Sequence, residues 1–448
     1  MSLRWDERLL MGTYQFGMNV LFPPVLLALS PVLLLNPKRR TTLLPRLGFQ
    51  RFPLSLPSEG KRPQGDKKVL WVHALSVGEM LSAVPLIREL YPRIQPARLY
   101  VSASTLSGYE TARDNLEGAL DGLLYFPMDL LFAVRRCFAH LRPSMLVLVE
   151  TDIWPGFMAE VRRQGIPSFL INARLSPTSF KRYGQAKRLF GPALNTFSRV
   201  YPQSLSDAES YRKLGVNPEK LSSPGNLKFD AAKTSSFPEK VEQLRTKLAI
   251  QKSEKVLVAG STHEGEEAVL KAAFLHLRQS LPGLKLIIAP RHPHRAEEVR
   301  RVFGGDPFRV VLYSSLPQDR FDVAVVDEFG ALASLYEFGD LAYVGGSLVP
   351  KGGQNPVEPA AAGKPILFGP DMSDFPDIVD LMLKEGGAVQ VKSGEDLAAQ
   401  AYRLLSDRAL SARLGAKNKD LVERHSGVVS KLADDIVEGL SKARRHAE

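Results

Sequence analysis

The sequence predicts an α/β protein in which two doubly wound parallel sheets are each covered by helices on both faces. From residue 69 onward, short apolar or β-branched runs alternate with polar loops and stretches of helical period, a pattern typical of parallel sheets. The chain has 448 residues, 44% hydrophobic and 24% charged, which suits a globular protein with a sizeable core. Two large domains that meet near residue 230 fit this pattern better than three smaller ones.

The first forty residues are predicted to form a membrane anchor. No charged residue occurs from position 9 to position 36, and a helix of that length reaches about 42 Å, more than the bilayer core of about 30 Å. Membrane helices also tolerate the prolines of this segment better than soluble helices do. The alternatives are a hydrophobic helix of a soluble domain and, with less support, a signal peptide, because Asp6 and Glu7 dilute the leading positive charge.

The charge and cysteine content restrict the possible partners. The net charge is +11, with 59 Lys and Arg against 48 Asp and Glu. These basic residues are scattered, and without a zinc-finger or RNA-binding signature nucleic acid is not the predicted partner. Lys38, Arg39, Arg40 and Arg46 follow the predicted anchor and place the rest of the chain in the cytoplasm by the positive-inside rule. An anionic membrane surface is the functional interpretation of the charge and a solvated surface the alternative, while the single Cys137 excludes a disulfide framework.

The predicted strands divide the remaining chain into two domains. They cover residues 69–73, 99–102, 145–150, 168–171, 256–260, 284–289, 323–327, 341–344 and 366–368. The predicted ranges are 1–40 for the anchor, 41–230 for the first domain and 231–448 for the second. Ligands of doubly wound sheets bind at the carboxyl ends of the strands, so the residues after each run are the candidate functional residues.

Acidic residues follow two strands of the first domain. Glu79 opens the helix predicted after the first strand, and Glu150 ends the third. A carboxylate at such a position can take a proton from an alcohol, and two of them favour an acidic site. The structural alternatives are a first-turn carboxylate stabilised by the helix dipole for Glu79 and, after Glu150, a helix cap from Thr151 or Asp152.

The loops of the second domain instead suit an anion. Ser261 and Glu264 have the spacing of a capping box, which explains both residues structurally. The helix start also directs amide groups at any anion above it, so Ser261 and Thr262 are predicted to bind a nucleotide, as are Gly346 and Ser347 in the next glycine-rich loop.

A second glycine-rich segment, 352–358, repeats this pattern. Asn355 is predicted to cap a helix that begins with Pro356, and Glu358 is placed to accept hydrogen bonds from ribose hydroxyls. No metal site is predicted, because the chain has no Asp-x-Asp pair, and no P-loop signature occurs. Lys228, Arg291 and helix dipoles would then neutralise a leaving phosphate.

Several segments resemble, in the same order, those of the Kdo transferases, which act on 3-deoxy-D-manno-oct-2-ulosonic acid (Kdo) in lipopolysaccharide synthesis. These segments are 71–79, 150–155, 172–176, 225–230, 259–267, 290–293 and 345–360. The resemblance implies a GT-B glycosyltransferase whose two domains face a cleft. It further implies that the first domain binds the acceptor, a lipid A precursor (lipid IVA), and the second binds the donor CMP-Kdo. Inversion at the sugar carbon, no metal or other cofactor, and a place on the cytoplasmic face of the inner membrane are also implied.

The resemblance also implies roles for individual residues. Glu79 is implied as the general base, and Glu150 and Lys228 as groups that stabilise the transition state. The implied CMP-binding residues are Pro290, Arg291, Phe329, Gly330, Ala331, Asn355, Pro356, Val357 and Glu358.

Some positions depart from the pattern of the family. Ala331 stands where an acidic residue is expected, and Lys351 and Gln354 stand where histidines are common. These departures affect only single contacts to the nucleotide or to the sugar of the donor substrate. Two alternative functions stay open: a GT-B transferase that uses a UDP-sugar, and a non-catalytic protein that binds nucleotide or lipid A.

Overall fold

The computed structural model describes residues 5–35, 37–50, 67–222, 225–234, 238–251, 253–305, 307–316 and 320–443. The chain divides into two compact units. Unit 1 comprises residues 1–231 and 426–448, and unit 2 comprises residues 232–425.

Unit 1 is built on a six-stranded parallel sheet of order β3-β2-β1-β4-β5-β6. Its strands are β1 (Val69–His73), β2 (Arg98–Ala103), β3 (Gly122–Tyr125), β4 (Met145–Val149), β5 (Ser168–Ala173) and β6 (Arg199–Pro202). Its helices are α1 (Trp5–Phe16), α2 (Phe22–Leu35), α3 (Pro37–Arg46), α4 (Val77–Arg93), α5 (Leu106–Asn115), α6 (Leu131–Leu141), α7 (Pro155–Gln164), α8 (Pro177–Gln185), α9 (Lys187–Leu194) and α10 (Leu205–Lys213). Helix α11 (Leu227–Thr234) begins in unit 1 and continues past its boundary at residue 231.

Strand β1 shows how the two faces of this sheet are covered. Leu70 and Val72 pack into one hydrophobic core, whereas Val69 and Trp71 pack into another. Successive side chains of a strand point to opposite faces, so a strand with apolar residues at every position belongs in the centre of a doubly covered sheet. This confirms the predicted fold class for the unit.

Unit 2 is built on a seven-stranded parallel sheet of order β13-β12-β11-β7-β8-β10-β9. Its strands are β7 (Val256–Thr262), β8 (Lys285–Pro290), β9 (Val310–Leu312), β10 (Val323–Val325), β11 (Leu341–Val344), β12 (Ile366–Phe368) and β13 (Ala388–Gln390). Its helices are α12 (Pro238–Leu248), α13 (Glu266–Ser280), α14 (Ala296–Phe303), α15 (Leu332–Leu335), α16 (Val357–Ala361), α17 (Pro376–Glu385), α18 (Gly394–Ser406) and α19 (Arg408–His425).

The last helix of the chain, α20 (Val428–Lys442), belongs to unit 1. Leu432 and Ile436 of this helix are fully buried in the core that also contains Leu86 of α4. The predicted second domain, 231–448, therefore differs from unit 2 at its carboxyl end. The helical period of α20 predicts that one face is buried, but it does not tell which sheet covers that face.

The N-terminal segment is not one uninterrupted α-helix. A π-helical stretch, Gly17–Leu21, lies between α1 and α2. Among the helices that the structure describes, none is long and apolar enough to cross a lipid bilayer. The predicted single anchor of residues 1–40 is thus not confirmed. Instead, Tyr14 of α1 donates a hydrogen bond of 2.6 Å to Asp129 within unit 1.

Candidate active site

Glu79 lies in the first turn of α4, directly after the carboxyl end of β1. The Ser76 hydroxyl caps the helix by accepting a hydrogen bond from the Glu79 amide. The half-buried carboxylate of Glu79 accepts hydrogen bonds from the Leu75 amide at 2.7 Å and from the Ser76 hydroxyl at 3.3 Å. These contacts are a capping box, so the structural alternative for Glu79 is realised, and the same contacts hold the carboxylate in one place.

The pKa of Glu79 is raised to about 8, mainly by burial, then by the nearby charge of Glu150, with a smaller contribution from Asp152. A buried carboxylate loses hydration, and two like charges oppose the ionisation of each other. A carboxyl group with a pKa near neutrality is suited to accept a proton during a reaction.

Glu150 and Lys228 form an ion pair beside this group. The Lys228 Nζ lies 3.6 Å from the Glu150 Oε1, and their side chains are 15% and 20% exposed, respectively. Glu150 follows β4 in a left-handed backbone conformation, with φ of 61°. Such a conformation is uncommon for a residue with a side chain and is found at functional sites.

Asn172 connects Glu150 to the helix that carries Lys228. Its Nδ2 donates to the Glu150 Oε1 at 3.5 Å, and its Oδ1 accepts from the Leu227 amide at 3.0 Å, at the start of α11. Asn172 is fully buried and has φ of 51°, a conformation that Asn tolerates better than most residues. In the sequence, Asn172 is part of the segment 172–176 that resembles the family, but no local spacing predicts its contact with Glu150.

A buried histidine lies below the same strand ends. The His73 Nε2 is 2.9 Å from the Asp152 Oδ2, and its Nδ1 lies 3.1 Å from the Ser102 carbonyl oxygen. The ring also stacks on Phe126 at a centroid distance of 3.8 Å. The structure thus assigns Asp152 to a buried pair with His73 rather than to a cap of α7, whose first amides donate to Asp129 instead.

In unit 2, a cationic group lies at the carboxyl ends of β7 and β8. Arg291 follows β8, and its amide donates to the Thr262 carbonyl oxygen at 2.9 Å. Burial lowers the pKa of His263, the neighbouring His292, Arg291 and Lys351 lower it further, and the carboxylate of Glu266 acts in the opposite direction. Several basic groups therefore face one region, as an anionic ligand requires. No role of His263 is predictable from the sequence, because a single histidine in a loop has no distinctive spacing.

Asn355 and Glu358 are brought together as predicted from their spacing. The Asn355 Oδ1 accepts from the Val357 amide at 3.1 Å, and its Nδ2 donates to the Glu358 Oε1 at 3.1 Å. Burial raises the pKa of Glu358, whereas the bond from Asn355 and the charge of Arg291 lower it. Arg291 and Glu358 are therefore near one another within unit 2. Pro356 directly precedes the short helix α16, which begins at Val357.

The amides of Gly346 and Ser347 do not face an open anion site. They donate to the carboxylate of Glu266, at 2.7 and 3.0 Å, and so does the Leu348 amide, at 3.0 Å. Glu266 is fully buried and also accepts from the Tyr343 hydroxyl at 2.7 Å. These two amides therefore have a carboxylate of the protein as their partner, and the contact of Gly346 and Ser347 with a nucleotide stays a prediction.

The predicted capping box of Ser261 and Glu264 is wrong. Strand β7 continues to Thr262, with φ of 55° at Ser261, and α13 begins only at Glu266. The Glu266 side chain accepts from the His263 amide at 2.9 Å instead. Thr262 is fully buried, and its hydroxyl donates to Glu267 at 3.2 Å.

The other residues predicted to bind the donor substrate lie at or after strand ends of unit 2. Pro290 ends β8, and Phe329 is 79% exposed in the loop after β10. Gly330 has φ of 78°, and Ala331 is buried directly before α15. Within the part of the chain that the structure describes, no group of three or more His, Cys, Asp or Glu side chains is arranged to hold a metal ion.

Solved structures share this architecture. The UDP-GlcNAc 2-epimerase of Neisseria meningitidis, solved with UDP-GlcNAc, aligns with a TM-score of 0.59 at 16% identity, over 84% of this chain and 100% of that one. Two parallel-sheet α/β units of this kind define the GT-B class of fold.

Sequence relatives identify the family within this class. The family model described as 3-deoxy-D-manno-octulosonic-acid transferase (kdotransferase) matches residues 45–231. The 3-deoxy-D-manno-octulosonic acid transferase of Haemophilus influenzae is 30% identical over 89% of this chain and 91% of its own length. That of Chlamydophila psittaci is 32% identical over 77% and 81%, respectively. The chain belongs to the Kdo transferases, and it is a glycosyltransferase.

Proposed function

We propose that this enzyme transfers Kdo from CMP-Kdo to the lipid A precursor lipid IVA, with inversion at the sugar carbon and without a metal ion. The observation that carries the proposal is the half-buried carboxylate of Glu79, whose pKa is raised to about 8, beside the Glu150–Lys228 pair at the strand ends of unit 1. Membership of the Kdo transferases supports the choice of sugar.

In the proposed reaction, a hydroxyl oxygen of the acceptor attacks the anomeric carbon of Kdo. The bond from that carbon to the phosphate oxygen of CMP breaks, and CMP leaves with the electron pair. The carboxylate of Glu79 takes the proton from the attacking hydroxyl. Lys228, held by Glu150, offers a positive charge to the negative charge that develops during transfer.

The donor phosphate is assigned to the cationic group of unit 2. Arg291 and Lys351 supply positive charge there, His263 supplies a neutral ring that can form a hydrogen bond, and Glu358 is proposed to accept hydrogen bonds from ribose hydroxyls. A leaving phosphate that is neutralised by side chains of this kind needs no divalent ion. This is the physical basis for proposing a metal-independent enzyme without another cofactor.

The acceptor places the reaction at a membrane. Lipid IVA carries phosphates and acyl chains, so its reactive sugar stays at a bilayer surface. The net charge of +11 and the exposed basic residues Arg39 and Arg40 after α2 favour an anionic surface. We therefore assign the enzyme to the cytoplasmic face of the inner membrane, held there by its N-terminal segment.

The test is to incubate the purified chain with CMP-Kdo and a tetra-acylated lipid A precursor and to determine the mass of the lipid product. A lipid heavier by one or more Kdo residues is expected, with CMP as the released nucleotide. CMP should inhibit the reaction and UDP should not. Consumption of a UDP-sugar with CMP-Kdo untouched would favour the alternative transferase. CMP binding without any turnover would favour the non-catalytic alternative.

Two further measurements address the finer claims. Addition of EDTA should leave the rate within about 2-fold, because side chains carry the positive charge. The configuration at the anomeric carbon of product and donor, determined by NMR, should be opposite. A rate abolished by EDTA and restored by a divalent cation would contradict the metal-independent mechanism.

A further inference from the structure

An open groove of about 1500 Å³ lies within unit 1, on the edge of the sheet opposite to Glu79. It is formed where β5 and β6 begin, by Pro167 and Ser198, and by residues at the ends of α7, α9 and α10. Glu7 and Leu10 of α1 complete its lining. Glu79 and Glu150 follow the carboxyl ends of their strands, so this groove is separate from the candidate active site.

The lining of this groove is strongly basic. Arg162, Lys187, Arg188 and Lys220 contribute to it, whereas Glu7 is the one acidic residue that lines it among the described residues. Glu7 opposes the charge of Arg162, but one carboxylate does not balance four basic groups. The groove therefore carries an excess of positive charge that attracts anions.

The hydrogen bonds of Arg162 and Lys220 do not neutralise this excess charge. The Arg162 Nη2 donates to the Pro192 carbonyl oxygen at 3.1 Å, and the Lys220 Nζ donates to the Asn195 carbonyl oxygen at 2.6 Å. Neutral carbonyl groups orient these cations but do not neutralise them. The Arg162 Nε is buried, and none of the described residues accepts a hydrogen bond from it.

The pKa values agree with this geometry. Burial lowers the pKa of Arg162 and of Lys220, and the charge of Arg162 lowers that of Lys220 further. Two partly buried cations that repel one another store an electrostatic cost, which a bound anion relieves.

We infer that this groove is a phosphate-binding site, in which Arg162 and Lys220 hold a phosphate mono- or diester at a distance from the transfer reaction. Phosphate offers the multiple charged acceptors that a guanidinium and an ammonium group recognise together. Trp5 and Leu9 of α1, which are 79% and 58% exposed, lie on the helix that borders the groove. The phosphate of an anionic phospholipid headgroup is therefore the expected source, and a soluble phosphate ester is the other.

The test compares two double variants of the full chain with the same change in net charge. Arg162→Gln/Lys220→Gln removes the two groove cations. Arg113→Gln/Arg212→Gln removes two cations that are 63% and 60% exposed and that pair with acidic neighbours in sequence. Binding is measured by calorimetry with inorganic phosphate and glycerol phosphate, and by flotation with vesicles of phosphatidylglycerol and phosphatidylcholine or of phosphatidylcholine alone.

The groove variant should bind phosphate groups at least about 10-fold more weakly than the wild type, and the control variant within about 2-fold. If the groove variant loses binding only to vesicles that contain phosphatidylglycerol, the ligand is a lipid headgroup. If it also loses binding to glycerol phosphate, the ligand is a soluble phosphate ester. Both results support the site. Retained Kdo transfer shows that the groove variant is folded. If the double variant does not fold, the same binding measurements are made with Lys220→Gln alone. No phosphate binding by the wild type in any form, or equal losses in both variants, would overturn the inference.

Discussion

At the scale of single residues, the carboxylate of Glu79 carries the proposed proton transfer. Glu79→Gln keeps an acceptor for the Leu75 amide but removes the base. We expect turnover to fall by at least about 100-fold while the affinity for CMP is unchanged, because a general base acts only in the transition state. Steady-state kinetics and CMP titration measure the two effects. Glu89→Gln on the same helix, where Glu89 pairs with Arg93 at 2.8 Å, is the control and should stay near wild type.

The pH dependence of the reaction tests the environment of the same residue. Glu79 must be ionised to accept a proton, so kcat/KM should rise with pH and level off above about 8. The charge of Glu150 is one cause of the raised pKa, so Glu150→Gln should move the rising limb to lower pH, whatever its effect on the maximal rate. A limb that stays in place in this variant would show that the two carboxylates are not coupled.

Asn172 is expected to act by positioning Glu150 and Lys228. Asn172→Asp keeps the acceptor for the Leu227 amide but loses the donor to Glu150 and places a negative charge beside it. We expect a folded enzyme with kcat reduced by about 10-fold or more and with nearly unchanged KM for the donor. Asn172→Ala should in addition lower the free energy of unfolding by about 1 to 3 kcal/mol, since a buried amide loses its partner. If kcat were equal in the wild type and in Asn172→Asp, Asn172 would not position Glu150 and Lys228 for the reaction.

At the scale of elements, Glu266 holds the glycine-rich loop after β11 in place. Glu266→Gln replaces an acceptor oxygen by an amide donor that faces the amides of Gly346 and Ser347. We expect the free energy of unfolding to fall by about 3 kcal/mol and hydrogen exchange to accelerate in this loop. The exposed Glu264 provides the control, because Glu264→Gln changes the same charge in the same turn without burial. Unchanged exchange in Glu266→Gln would mean that the loop is held by other contacts.

The same loop shows what the sequence could and could not predict about elements. The runs at 69–73, 341–344 and 366–368 match β1, β11 and β12, because apolar β-branched segments between polar loops have few other stable arrangements. Ser261 and Glu264 had the spacing of a capping box, yet the strand continues past Ser261. Motif spacing does not specify where a strand ends, since that depends on its neighbours in the sheet.

Contacts between side chains and partners that are distant in sequence could not be predicted from the sequence either. Glycine-rich loops before helices are typical of phosphate sites, but the buried Glu266 takes the amides of Gly346 and Ser347. By contrast, Asn355 and Glu358 are neighbours on one turn, and their contact was predictable from spacing alone. Sequence therefore identified the local parts of the candidate site, whereas contacts such as Asn172 to Leu227 required the fold.

At the scale of the whole molecule, α20 makes unit 1 depend on the last residues of the chain. The Asp230 carboxylate accepts from the Gly427 and Val428 amides at the start of α20, at 2.8 and 3.0 Å. At its end, Lys68 donates to the carbonyl oxygens of Leu440 and Ser441. Unit 1 thus consists of two separate stretches of the sequence, residues 1–231 and 426–448. A single domain boundary near residue 230 cannot describe such a unit.

This dependence predicts that damage to α20 destabilises unit 1 and leaves unit 2 folded. Leu432 is buried in the core shared with α4, whereas Lys431, next to it, is exposed. Leu432→Asp should therefore lower the free energy of unfolding of unit 1 by about 4 kcal/mol or more, because it removes a buried apolar side chain and buries a charge. Lys431→Asp, which introduces the same residue on the same helix, should cost less than about 1 kcal/mol.

Hydrogen exchange, measured during unfolding by denaturant, distinguishes the stability of unit 1 from that of unit 2 in this experiment. In Leu432→Asp, exchange should accelerate in β1, β2 and β4, where the core of α20 lies, and should keep its wild-type rate in β7 and β8. Kdo transfer should fall with unit 1, because Glu79 and Glu150 follow strands of that sheet. If both units lost protection together, or if only unit 2 did, then α20 would not be the element that completes unit 1.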